Sequence, residues 1–110
     1  RFPGGSSNTV SDFNPGIMTT LAQQLHDKGY EYFDWNVSSG DAGETTSTDQ
    51  VVENVISGIQ NYSVSVVLQH DSKDYSVAAV ERIIQWGQEN GYTFLPLRLD
   101  SPNAHHNINN

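Results

Sequence analysis

His70 is the residue of this sequence best suited to proton transfer. It follows the apolar run 64–68 in the segment Leu68-Gln69-His70-Asp71. A histidine at the end of an apolar strand is partly shielded from water, and a neighbouring carboxylate can fix its tautomer and favour its protonated form. Such a histidine can act as a general acid. It can equally close the strand end by a hydrogen bond to a backbone carbonyl, and its position alone leaves both interpretations open.

Asp41 is the candidate partner of that histidine. It lies between Gly40 and Ala42 in the polar segment 36–48. As a site residue it would accept a hydrogen bond from His70, and as a turn residue it would only shape the loop, where aspartate is common. Trp35 stands directly before the same segment. Its flat ring could form the wall of a ligand groove or pack over the end of the strands.

The opening segment Arg1-Phe2-Pro3-Gly4-Gly5-Ser6 lacks the lysine and the spacing of a phosphate-binding loop. Its two glycines nevertheless let backbone N–H groups approach a ligand closely, as an oxyanion hole requires. The adjacent His105 and His106 point in opposite directions on an extended chain and make a poor chelate. No histidine pair in the sequence has the spacing of a known metal motif, so we expect no metal ligands in this chain.

The composition further limits the classes of molecule that this chain could bind. The 110 residues carry 5 Lys and Arg against 13 Asp and Glu, a formal net charge of −8. This balance argues against nucleic acid and against anionic lipid headgroups, both of which are bound through clustered Lys and Arg. The absence of cysteine excludes disulfides, thiolate metal sites and cysteine nucleophiles.

Hydrophobic spacing predicts three helices that alternate with three strands. We expect helices from Asn14-Pro15 to Gly29, from about Thr48 onward, and from a Ser76 cap to Gly91, with strands at 30–35, 64–68 and 92–97. The alternation predicts an α/β fold with parallel strands. Ligands of such folds bind beyond the carboxyl ends of the strands. We therefore expect one set of residues to converge there: Arg1, Trp35, Asp41, Leu68 and His70.

Three segments in this order resemble motifs of the polysaccharide deacetylase family (NodB homology, carbohydrate esterase family 4). They are Arg1 to Ser6, Asp34-Trp35-Asn36 followed by Asp41, and Leu68 to Asp71, and the ending 99–110 is similar to the tail of bacterial peptidoglycan N-acetylglucosamine deacetylases. The family has five motifs on a distorted (β/α) TIM-like barrel, and only the last three are matched. The resemblance implies that residues 1–110 are the C-terminal part of a single catalytic domain whose N-terminal half is absent.

The resemblance also implies roles. It makes His70 the acid that protonates the leaving amine and Asp41 the carboxylate that tunes this histidine. It makes Arg1 the residue that orients a catalytic aspartate outside this chain, and it places the backbone N–H of Gly4 in the oxyanion hole. The activity implied is metal-dependent removal of acetyl groups from an N-acetylglucosamine polymer, either peptidoglycan or a chitin-like oligosaccharide.

Trp35 and Leu68 match residues that line the acetyl pocket and the groove. Many relatives carry tryptophan where this chain has Ala42, which puts the shape of that rim in doubt. The implied cofactor is a divalent metal, zinc, with ligands in the missing N-terminal half. The implied location is extracellular or on the surface of a bacterium. A catalytically inert fragment and a small flavodoxin-like binding domain stay open as alternatives. An Asp-Asp pair and a His-x-x-x-His upstream of Arg1 would settle the identity of the parent protein.

Overall fold

The computed structural model describes residues 1–110, which divide into two compact units. Unit 1 contains Arg1–Trp35 and Leu97–Asn110, and unit 2 contains Asn36–Pro96. Along the chain the elements are a short 3-10 helix at Val10–Asp12, α1 at Ile17–Asp27, β1 at Val37–Ser38, α2 at Thr48–Ile59, β2 at Val67–Leu68 and α3 at Asp74–Glu89. No helix combines the length and the apolarity that a bilayer span requires.

Unit 1 is built around α1 and long irregular segments. The helix starts later than predicted, because Asn14 and Pro15 belong to a preceding turn in which the Ile17 N–H donates to the Asn14 carbonyl at 3.1 Å. Its end is as predicted: Gly29 follows the last turn with a φ of +80°. The strand predicted at 30–35 is wrong, because this segment has only isolated backbone hydrogen bonds and no ladder with a neighbouring strand.

Unit 2 packs two helices on a small parallel sheet. β1 and β2 pair with Val37 opposite Val67 and Ser38 opposite Leu68, so the parallel arrangement is confirmed. α2 begins where predicted, and the Ser47 hydroxyl accepts a hydrogen bond from the Gln50 N–H at 3.3 Å. The core unites the apolar faces of both helices with β1 and consists of Val37, Val51, Val52, Val55, Ile59, Ala79 and Ile83.

The other two predicted strands also require correction. The second is reduced to β2, and Val64 is 53% exposed, so the run 64–68 is not buried on both faces. The third, at 92–97, does not form, since it has no ladder partner in the chain and Leu95 is 78% exposed. α3 starts at Asp74 rather than after Ser76, whose hydroxyl is used elsewhere.

Candidate active site

Asp41 and His70 form a doubly hydrogen-bonded pair at the ends of the two strands. Asp41 lies in the loop after β1 and is 1% exposed, and His70 follows β2 by two residues. One carboxylate oxygen of Asp41 lies 2.7 Å from the ring Nδ1 of His70, and the other accepts the His70 backbone N–H at 2.6 Å. Because the same carboxylate holds both the main chain and the ring, the orientation of the imidazole is fixed. The predicted hydrogen bond is present.

Further groups hold Asp41 itself in place. The Ser76 hydroxyl on α3 donates to the Asp41 carboxylate at 2.5 Å, and the Tyr75 hydroxyl donates to the Asp41 backbone carbonyl at 2.6 Å. The Asp41 backbone N–H donates to the Ser39 hydroxyl at 3.3 Å. α3 therefore positions the carboxylate from one side and β1 positions its main chain.

These hydrogen bonds also decide the charge of Asp41. Burial acts to raise the pKa of this carboxyl, but the donors from Ser76 and His70 outweigh it and hold the pKa below its usual range. Asp41 is therefore an anion at neutral pH. An anion against Nδ1 stabilises a proton there and leaves Nε2 as the ring nitrogen that can exchange a proton with a bound molecule.

The ring of His70 borders an open groove within unit 2. Its side chain is 26% exposed. The segment Gln69 to Asp71 forms one edge of the groove and α3 forms the other, with Val77, Val80 and Ile84 among the lining residues. A reacting group can thus approach the histidine from solvent. Leu68 is the last residue of β2, directly precedes Gln69 in the sequence, and is half-buried.

In unit 1 the segment before Ser6 forms a tight glycine turn. The Gly5 N–H donates to the Phe2 carbonyl at 2.8 Å, whereas the Gly4 N–H is not used within the turn. Both glycines have positive φ values, +74° and +82°, which favour glycine on steric grounds. Arg1 is exposed and forms no ion pair within the chain. The roles of Gly4 and Arg1 stay predictions.

Trp35 lies against the second glycine of that turn. A Cβ atom on Gly5 would come within 2.9 Å of Cη2 of the Trp35 ring, so the ring contacts the turn directly. Trp35 also meets the His106 ring edge-on, with centroids 4.6 Å apart and an interplanar angle of 76°. The tryptophan is half-buried, and the rest of its surface can meet a ligand.

Asp34, which is 2% exposed, was not among the predicted site residues. Its carboxylate accepts the Ser6 N–H at 2.7 Å, the Ser6 hydroxyl at 2.5 Å and the His106 N–H at 2.8 Å. Burial acts to raise the pKa of Asp34, but the hydrogen bonds from Ser6 and His106 lower it below its usual range. The sequence feature that could have pointed to Asp34 is its position as a carboxylate inside the aromatic run 30–35.

The metal implied by the family resemblance does not fit the residues present here. Nowhere do three or more His, Asp or Glu side chains come together in a group that could hold an ion. His105 and His106 direct Nε2 to the backbone carbonyls of Tyr32 and Trp35, at 2.9 and 2.8 Å. We therefore assign no metal role to any residue of this chain.

Comparison with solved structures gives a close relative. The catalytic domain of peptidoglycan N-acetylglucosamine deacetylase from Eubacterium rectale ATCC 33656 is 66% identical to this chain, with a TM-score of 0.93 over 100% of this chain and 51% of that one. The chain belongs to the polysaccharide deacetylase family, as the resemblance implied. A carbohydrate esterase family 4 (CE4) esterase of Streptococcus mutans is 27% identical, with a TM-score of 0.59, over 70% of this chain and 36% of its own.

The chain thus spans about half the length of the first deacetylase structure and corresponds to the C-terminal part of the TIM-like barrel of the CE4 deacetylases. This correspondence confirms the predicted fold class and favours it over a flavodoxin-like domain. No family model matches the chain, and the search of curated proteins gave no match.

Proposed function

We propose that this chain forms part of the catalytic domain of a deacetylase that removes acetyl groups from an N-acetylglucosamine polymer, with peptidoglycan as the substrate. The observation that carries the proposal is the buried Asp41 carboxylate on Nδ1 of His70, 2.7 Å away, beside an open groove. Its support from comparison is 66% identity, over the whole of this chain, to a peptidoglycan N-acetylglucosamine deacetylase.

The reaction class requires an acid at the position of His70. Hydrolysis of an N-acetyl group adds water to the amide carbonyl and then breaks the carbon–nitrogen bond. The departing nitrogen needs a proton, because an amide anion is a very poor leaving group. Protonated His70 supplies that proton from Nε2, while Asp41 holds Nδ1 and balances the positive charge of the imidazolium. The products are acetate and a free amine on the sugar.

The other predicted residues have supporting roles in the proposed reaction. The N–H of Gly4, which makes no backbone hydrogen bond, stabilises the oxyanion that forms when water adds to the carbonyl. We assign Trp35, in unit 1, and Leu68, in unit 2, to contacts with the substrate, and Arg1 to the orientation of a carboxylate supplied by another part of the domain. The family resemblance places the base that activates water and the metal ligands outside this chain.

A deacetylase of a bacterial wall polymer acts outside the membrane, so we place the protein extracellularly or on the cell surface. The formal charge of −8 gives no electrostatic attraction to an anionic wall. Recognition of the polysaccharide therefore relies on aromatic stacking and hydrogen bonds.

The test is acetate release by the complete catalytic domain that contains this chain, with peptidoglycan and with chitooligosaccharides. We expect the wild-type domain to release acetate and His70→Ala to lower kcat by about 10²–10⁴-fold, the usual contribution of a positioned general acid. His26→Ala is the matched control, since this histidine is exposed in the last turn of α1. Full activity of His70→Ala, or no acetate from either substrate with a folded wild-type domain, would refute the proposal.

A further inference from the structure

The C-terminal tail of unit 1 is joined to the segment before β1 by backbone and carboxylate hydrogen bonds. The Asp34 N–H donates to the Ala104 carbonyl at 2.9 Å, and the His106 N–H donates to the Asp34 carboxylate at 2.8 Å. These contacts span about 70 residues of sequence and do not depend on the side chain of His106. The main chain of the tail is therefore anchored at this point whatever side chain residue 106 carries.

The ring of His106 adds contacts that converge on one residue, Trp35. Its Nε2 lies 2.8 Å from the Trp35 backbone carbonyl, and the imidazole meets the indole edge-on at 4.6 Å. Its Nδ1 lies 3.3 Å from the Ser7 hydroxyl. Both ring nitrogens of His106 thus have polar partners, and the ring touches both the main chain and the side chain of the tryptophan.

The indole is restrained from the glycine turn as well. The Gly5 backbone leaves room for Cη2 that any Cβ atom would take, since that atom would lie only 2.9 Å away. The Asp34 carboxylate fixes the same turn through both the N–H and the hydroxyl of Ser6. Two elements with fixed main chains therefore contact the Trp35 ring: the glycine turn and the tail histidine.

We infer that His106 is a positioning residue that fixes the Trp35 ring for stacking against the sugar. The inference rests on the proposed function, since it requires Trp35 to contact the polysaccharide. A flat aromatic face binds better when its orientation is set in advance, because less side-chain freedom is lost on binding. His106 supplies this orientation without touching the substrate, so its loss affects substrate binding more than the chemical step.

The neighbouring His105 provides a matched control. Its Nε2 also lies near a backbone carbonyl, that of Tyr32 at 2.9 Å, and its ring stacks on the Tyr32 ring with centroids 4.2 Å apart. It therefore secures the same tail by the same kind of contact, but on a different aromatic residue. A general loosening of the tail would follow from the loss of either histidine, whereas misplacement of Trp35 follows from the loss of His106.

The experiment is steady-state deacetylation of chitooligosaccharides by the complete catalytic domain. We expect His106→Ala to raise KM roughly two- to tenfold, as expected for an aromatic contact, with kcat little changed. Trp35→Ala raises KM at least as much, and the double variant is no worse than Trp35→Ala. His105→Ala leaves KM near the wild-type value.

Two amide variants separate the ring contact from the fold. His106→Gln carries a side-chain nitrogen at about the reach of Nε2 and restores KM, whereas the shorter His106→Asn does not reach the Trp35 carbonyl and raises KM. This pair keeps the test valid where His106→Ala fails to fold. Equal effects of His105→Ala and His106→Ala, additivity with Trp35→Ala, or no KM change in His106→Asn would overturn the inference. In each case, His70→Ala still tests the proposed function separately.

Discussion

Replacing Asp41 by asparagine in the complete domain removes a charge from beside the candidate acid while nearly preserving the shape of the side chain. The amide oxygen of the introduced asparagine can still accept a hydrogen bond where the carboxylate now lies 2.7 Å from Nδ1 of His70. What disappears is the negative charge that stabilises the imidazolium, together with the second acceptor oxygen, which now takes the His70 backbone N–H at 2.6 Å. Hydrogen bonds to charged groups stabilise by about 1.5–3 kcal/mol. If that stabilisation is used in the proton transfer, its loss corresponds to a roughly 10- to 150-fold lower rate.

The pH dependence of the Asp41→Asn variant gives a sharper test than its rate. The acid must be protonated to work, and an anion beside it favours the protonated form. The alkaline limb of the pH–rate profile therefore shifts to lower pH in Asp41→Asn. The double variant with His70→Ala is little slower than His70→Ala alone, because both residues serve one proton transfer.

The assay is acetate release across the pH range, with kcat and kcat/KM measured at each pH. Asp49→Asn is the control, since Asp49 is an exposed aspartate of the same unit, paired with Arg82 at 2.7 Å on the surface. An alkaline limb that stays in place in a folded Asp41→Asn variant would refute the reasoning. Asp41 would then only shape the loop after β1.

Three further predictions concern stability. The pKa values of Asp34 and Asp41 are lowered by folding, so both carboxylates stabilise the native state fully above about pH 4. They lose that stabilisation as the pH falls through their folded-state pKa values. Tm measured from pH 7 to 2 should therefore fall less steeply at the acid end in Asp34→Asn. Gly5→Ala combines a positive φ with a steric contact and should lower the free energy of unfolding by about 1–3 kcal/mol more than Gly29→Ala. Gly29 also has a positive φ, but a Cβ there would meet nothing within 4 Å. Equal losses of stability for the two variants in denaturant titrations would argue against the Trp35 contact. Ser76→Ala removes a buried donor to a carboxylate and should cost about 1.5–3 kcal/mol of stability, and an unchanged midpoint of unfolding would contradict the assigned network.

Helices were predictable because their signals are local. The apolar stripe of α2 with its serine cap, and the glycines after α1 and α3, are contained within the elements that they define. Strands were overpredicted because a strand also needs a neighbour. The runs at 30–35 and 92–97 have suitable side chains but no ladder partner in this chain, and residues 64–68 pair only at Val67 and Leu68.

In the candidate site, too, some contacts could be predicted from the sequence and others could not. Asp41 and His70 follow successive parallel strands, so topology alone predicts that they meet. The hydrogen bond from the Ser76 hydroxyl to Asp41 could not be predicted, because a serine near the start of a helix is an equally good N-cap. The contacts of Asp34 and of the tail histidines were not predicted, because the partners lie 28 to about 100 residues away, with no periodicity to connect them.

The two buried carboxylates explain why we assign different roles to two histidines of one chain. Asp34 and Asp41 each accept a serine hydroxyl at 2.5 Å and the backbone N–H of a histidine. The arrangements differ at the ring. The Asp41 carboxylate also accepts Nδ1 of His70, and Nε2 of this ring has no hydrogen-bond partner in the chain, whereas the ring of His106 directs Nε2 to a backbone carbonyl and Nδ1 to a hydroxyl. A ring with one nitrogen on an anion and the other open can donate a proton to a substrate. A ring with both nitrogens engaged can only hold its neighbours in place, and the neighbour that it holds is Trp35.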